Sequence, residues 1–187
     1  MKRIATLALM LNLGVAGVYV QQKPVKMTFS GTVEPSPINL QPGTNNDEES
    51  FAGSGTLGTF TFRSLRADTA SPQPSSTCSG PTRLYFTSVA GAGVFRFQDG
   101  SLLTVRLTQG AVCIDFAVSQ GQFTVIYQIT GGTGRLKNAS GTLTLTDTLF
   151  PVLYNASNAP VFFAGTGEFT GTVFGVAREE ERQDERQ

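Results

Sequence analysis

The chain contains no histidine, which removes every Ser–His and Cys–His pair from consideration as an activated nucleophile. Carboxylates are the remaining candidates for proton chemistry. Asp115, Asp147 and Glu168 each fall in or at a segment that reads as a strand, and two carboxyls at the right separation could act as acid and base. Asp115 alternates with Cys113 and Ala117, opposite the apolar set Val112, Ile114, Phe116 and Val118. An inward apolar set leaves Asp115 in solvent, and that is the expectation. Asp47-Glu48-Glu49 could attract calcium weakly, but adjacent carboxylates in a loop are expected to be solvated. The residues themselves therefore assign no catalytic position, metal site or cofactor, and they leave the ligand-binding residues open.

The two cysteines, Cys78 and Cys113, read as a structural disulfide. A reactive thiol would want a histidine or a basic neighbour to lower its pKa, whereas Cys113 has Asp115 two positions on. The bridge would tie a Ser/Pro-rich loop, Thr69 to Pro81, to a strand, Ala111 to Ser119. It closes about 36 residues, for which chain entropy suggests roughly 3 to 4 kcal/mol.

Gly131 to Gly141, with Arg135 and Lys137 among four glycines, invites a phosphate-loop reading. The order is wrong for it. A P-loop closes on Gly-Lys-Ser/Thr and opens a helix, and a dinucleotide fingerprint also needs a helix N-terminus. Here Gly141-Thr142-Leu143-Thr144-Leu145 reads as a strand, so the segment is expected to be a β-to-β connection using glycine for positive φ.

The elements that position these residues are read from period-two alternation. Lys26 to Glu34 alternates Met27, Phe29, Gly31 and Val33 with Thr28, Ser30 and Thr32. Pro35 to Ser50 reads as an exposed loop, Phe51 to Ser64 as a strand region, and Arg66 to Pro81 as a second loop. Within Phe51 to Ser64, Phe60, Phe62 and Ser64 share one face. Thr82 to Thr87 and Ala92 to Gln98 are two strands, or one broken at Gly91. Asp99-Gly100 signals a two-residue hairpin into Leu102 to Leu107, a strand ended by Gly110. Ala111 to Ser119 follows, turning at Gln120-Gly121 into Gln122 to Thr130. Gly141 to Asp147 is a strand, Thr148 to Pro160 a loop, and Val161 to Ala177 a closing strand. Arg96 and Arg106 flank the hairpin and are expected to pair with carboxylates across strands.

Eight to nine such strands joined by short turns indicate an all-β barrel or sandwich. Phe51-Ala52-Gly53-Ser54-Gly55 is echoed in Phe163-Ala164-Gly165-Thr166-Gly167. Alternate glycines strip one face of side chains, as barrel corners require. Phe60, Phe62, Phe95, Phe97, Phe123 and Tyr127 are the expected core aromatics.

Lys2-Arg3 followed by the apolar run Ile4 to Val20, with small residues at Val15-Ala16-Gly17, reads as a signal helix; the rival reading is an uncleaved anchor, for which the run is at the short limit of a bilayer span and is interrupted by Asn12. The expected division is a signal peptide over 1–20, a barrel over 26–177 and a disordered, charged C-terminal tail over 178–187, with a secreted or periplasmic destination and no membrane span after signal cleavage. Acidic and basic residues balance at 14 each, and the body holds no basic cluster, which argues against a nucleic-acid partner. Asn138-Ala139-Ser140 and Asn155-Ala156-Ser157 are formal glycosylation sequons.

The run from Thr130 to Thr144 (strand, Gly-Gly-Thr-Gly, a basic and an apolar residue, Ala-Ser-Gly, strand) resembles a signature of the allene oxide cyclase and dirigent barrels, and of small exported bacterial proteins of that barrel type. Leu136 stands where those families carry an aromatic residue. The resemblance implies an antiparallel eight-stranded barrel, allene oxide cyclase-like, and carries over no catalytic residue. Two functions follow as expectations. One is a non-catalytic binding or structural barrel holding a small lipophilic ligand. The other is a cyclase or isomerase acting on a lipophilic substrate in the lumen. The barrel interior discriminates them: a filled lumen disfavours the enzyme, and an open pocket over a buried carboxylate or arginine revives it.

Overall fold

A computed structural model describes residues 22–74, 78, 84–115 and 120–177. The expected leader and charged tail lie outside the described residues. The described chain is all β apart from one 3-10 turn at Gly134–Leu136. Its strands are β1 (Gln22–Pro35), β2 (Thr44–Gly55), β3 (Phe60–Thr69), the two-residue β4 (Gln73–Pro74), β5 (Leu84–Phe97), β6 (Leu102–Asp115), β7 (Gln120–Gly132), β8 (Ser140–Tyr154) and β9 (Pro160–Phe174).

The long strands pair antiparallel in the order β3-β2-β1-β9-β8-β7-β6-β5, and β3 pairs with β5 to close the ring. The result is an eight-stranded antiparallel barrel, with β4 added outside the ring on β5. Closure leaves the eight-stranded ring no free edge.

Several strands are longer than the local breakers suggest. Pro35 to Ser50 is not one exposed loop: β2 begins at Thr44, and Thr44 to Ser50 pairs with β3. Arg66, Ala67 and Asp68 likewise belong to β3, not to the following loop. Gly110 does not end a strand, because β6 runs through it with an irregularity between Leu107 and Gln109. Gln120 and Gly121 lie in β7, not in a turn, and Gly91 lies within an unbroken β5. β8 continues to Tyr154, which shortens the loop expected over Thr148 to Pro160. In each case long-range pairing overrides a residue of low strand propensity. The region Phe51 to Ser64 is in fact split, turning at Gly55–Gly58 where Gly58 has φ 94°.

The Asp99-Gly100 hairpin connects β5 to β6 through a three-residue loop, not two. The Gly100 N–H donates to the Phe97 carbonyl, the Phe97 N–H to the Ser101 carbonyl, and Gly100 takes φ 82°. This is the turn-plus-bulge form of a hairpin.

Half of the lumen is solid. Phe60, Phe62, Phe95, Phe97, Phe123 and Tyr127 are all buried, joined by Phe29, Phe51 and Phe169. Ring centroids lie 4.4 Å apart for Phe62–Phe95, 4.8 Å for Phe95–Phe169 and 4.4 Å for Phe29–Phe51. The bare glycine face receives these rings. A Cβ on Gly93 would lie 2.5 Å from the Phe62 ring, and one on Gly31 would lie 2.6 Å from that of Phe51.

The Gly131 to Gly141 segment seals this packed end as a β-to-β connection. Leu136 is fully buried and Gly134 has φ 57°. Arg135 Nε lies 2.9 Å from Asp99 Oδ2, and Arg135 Nη2 donates to the Leu57 carbonyl. The basic residue of the glycine loop therefore fastens two turns together. The Cys78–Cys113 disulfide is formed.

Candidate functional site

Among the described residues, the opposite end of the barrel is open. A cup of about 610 Å³ lies among the C-terminal ends of β1, β3, β6 and β8 and the N-terminal ends of β2, β5, β7 and β9. Val33, Phe86, Val112, Ile114, Phe123, Leu149 and Phe163 form its apolar wall, and Asp47 and Asp68 are among its polar residues. Apolar walls with a few convergent polar groups are the usual composition of a small-molecule site.

A charged layer separates the cup from the aromatic half. It arises from ordinary strand alternation. Phe60, Phe62, Ser64, Arg66 and Asp68 succeed one another on the inner face of β3, and Asp47, Glu49 and Phe51 on that of β2. Arg66 is 1 % exposed. Its Nη1 lies 3.1 Å from Glu49 Oε1, its Nε 3.2 Å from Asp68 Oδ2 and its Nη2 3.5 Å from Asp47 Oδ2. The guanidinium carbon sits 4.2 Å from the centroid of the Phe123 ring, a cation–π contact. Ser64 donates to Glu49 Oε2. The Arg66 contacts are ion pairs by distance without hydrogen-bond alignment, and Asp68 Oδ1, Ser88 Oγ and Asp147 Oδ1 also find no hydrogen-bond partner among the described residues.

Asp147 enters this layer from β8, opposite Phe123 of β7 and Gly167 of β9. A Cβ on Gly165 would lie 3.0 Å from its carboxylate, so glycine there makes room for it. Burial, and secondarily the charge of Glu49, raise the pKa of Asp147 to about 7. Burial likewise raises Asp47 to about 6, against the attraction of Arg66. Tyr127, beneath, is pushed well above its ordinary value by burial and by Glu49. Burial opposes the charge on Arg66, but Glu49, Asp68 and Asp47 outweigh it and hold the guanidinium more firmly protonated than usual. One cation thus faces four carboxyl groups, two of which exchange protons near neutrality.

Of the three carboxylates singled out in the sequence, only Asp147 belongs here. Glu168 points outward and lies 3.5 Å from Lys26 Nζ on the barrel surface. Asp115 shares the outer face of β6 with the half-buried Cys113, opposite the inward Val112 and Ile114, as its alternation indicates. The three do not converge. Asp47 and Glu49 are a correction to the solvated-loop reading: both turn inward to Arg66, whereas Glu48 turns outward and accepts from Ser36 at 2.8 Å. Arg96 and Arg106 are exposed and form no ion pair with a described residue. Arg66, Asp68 and Ser88 were not anticipated as site residues. The signal was present for two of them, since extending the alternation of Phe60, Phe62 and Ser64 by two steps reaches Arg66 and Asp68.

No family model matches the chain, and no curated protein does either. Among solved structures, that of the pterocarpan synthase dirigent protein GePTS1 is similar at 12% identity and a TM-score of 0.44, covering 92% of this chain and 100% of that one.

Proposed function

We propose that the chain is an exported binding barrel of non-catalytic role, whose open cup holds a small, mainly apolar molecule. The observation that carries this reading is the division of the lumen. Aromatic rings fill one half, and the other half is an apolar-walled space of about 610 Å³, within the range of small-molecule sites. Export is supported by the Cys78–Cys113 bridge, which belongs to oxidising compartments, together with the leader-like N-terminal sequence.

The test is native mass spectrometry of the protein after incubation with a lipid extract, comparing the natural chain with Gly121→Leu. Gly121 lines the cup, and a Cβ there meets nothing nearer than the Phe123 ring edge at 3.1 Å, so leucine would occupy the cup with modest adjustment. The expected result is a retained mass on the natural chain that is absent from the variant. Equal retention by both, or by neither, contradicts the reading.

One observation favours a second reading, an isomerase or cyclase acting on a lipophilic substrate. The Asp147 carboxyl, with a pKa of about 7, is buried one residue pair deeper than the cup-lining Leu149. An acid of that strength can both give and take a proton at neutral pH. A product formed from the retained molecule by the natural chain, and not by Asp147→Asn, would select this reading.

A further inference from the structure

The proposed cup has a floor of definite charge, and its sign selects the ligand. Arg66 is committed to Glu49, to one oxygen of Asp68 and, at longer range, to Asp47. Asp68 lines the cup, is 5 % exposed, and leaves its second oxygen, Oδ1, without a partner among the described residues. Asp47 lines the cup beside it and is the more open of the two, its side chain 24% exposed. A buried carboxylate oxygen without a donor is costly, because its lost hydration is not replaced. The floor therefore carries more negative than positive charge, one arginine facing Glu49, Asp68 and Asp47. A carboxylate or phosphate entering it would meet the same sign of charge.

We infer that the ligand of the cup is a small organic cation, an ammonium group on an apolar body, seated with its N–H donors on the more open Asp47, its charge against the buried Asp68 behind it and its body against Phe86, Phe123 and Phe163. The inference rests on the reading of the cup as a binding site. An ammonium supplies up to three donors and a positive charge that three carboxylates sharing one arginine lack.

The experiment measures binding of three probes of one shape to the full chain with its disulfide formed, by titration calorimetry at pH 7.5. The probes are 2-(1-naphthyl)ethylamine, 2-(1-naphthyl)ethanol and 1-naphthylacetate. The amine is expected to bind about tenfold or more tightly than the alcohol, the effect of one charge-assisted contact, and the acetate more weakly than either. Asp68→Asn should lower amine affinity by about tenfold and leave the alcohol within about twofold. If that variant lowers Tm, Asp47→Asn at the more open position should show the same selective loss. Equal binding of amine and alcohol, or preference for the acetate, overturns the cation inference and leaves the cup standing. Binding of none of the three overturns both.

Discussion

Arg66 Nη1 and Glu49 Oε1 lie 3.1 Å apart inside the barrel, each side chain 1% exposed. A charge pair this deep repays its desolvation only while both members remain. The strands that carry them are neighbours, with Glu49 opposite Ser64 and Arg66 opposite Asp47, so the pair is diagonal across β2 and β3. Its consequence is local: the layer is stable with Arg66 and poorly balanced without it.

Arg66→Met should therefore destabilise the protein by about 3–5 kcal/mol at pH 7, because Glu49 and Asp68 are left as buried, uncompensated charges. Adding Glu49→Gln to Arg66→Met should recover part of that loss. Urea unfolding of the two single variants and the double variant measures the coupling as a double-mutant cycle. Strict additivity would show that the pair does not interact.

The raised pKa of Asp147 has a stability consequence of definite sign. Its folded value, about 7, lies above its ordinary value of 3.8, so the folded state holds the proton more tightly than the unfolded state. The contribution of Asp147 to stability is greatest below pH 4, falls as pH rises to about 7 and is level above that. Asp47, raised to about 6, adds to the same slope. Asp147→Asn should raise stability at pH 8 by about 1–3 kcal/mol and flatten the fall between pH 4 and 7. Unfolding at fixed pH values across that window checks it.

Gly93 and Phe62 should behave as a size-matched couple. Gly93→Ala forces the Phe62 ring away from a contact at 2.5 Å and should cost about 1–3 kcal/mol. In a Phe62→Leu background, itself destabilised, the same alanine should cost less. Thermal unfolding of the four proteins tests this, and an unchanged cost in both backgrounds would contradict the packing account.

Removing the Cys78–Cys113 bridge, whose cysteines are 35 positions apart, should lower stability by roughly 3–4 kcal/mol on the chain-entropy model. Replacing both cysteines by serine and comparing urea midpoints gives the value. The cup should survive the change, because it is built from the barrel walls, so probe binding by the serine variant should match that of the natural chain.

Much of the architecture was legible in residue pattern. The alternation of Met27, Phe29 and Val33, the six core aromatics, the Asp99-Gly100 hairpin and the Gly131 to Gly141 connection all read locally, and local chemistry decides them. The site was not legible for a specific reason. Acidic residues and breakers between Pro35 and Ser50 resemble loop composition, and Arg66 opens what resembles a polar connection. Both segments are strand because each has the other as partner, a pairing between residues roughly twenty positions apart.

The sequence by itself determined that the chain is β, that its two cysteines bond, that its glycine loop joins strand to strand, and which residues of each strand share a face. Alternation states that Asp147 and Leu145 face one way and that Glu168 faces opposite to Phe169, but not which charges meet. The tertiary structure decided that. Closing the ring through β3 and β5 brings Arg66, Glu49, Asp68 and Asp147 from three strands to one level of the lumen and leaves Glu168 on the outer wall. The physical reason is register. Which side chains oppose one another across a barrel depends on strand stagger, a property of all eight strands together that no single segment encodes.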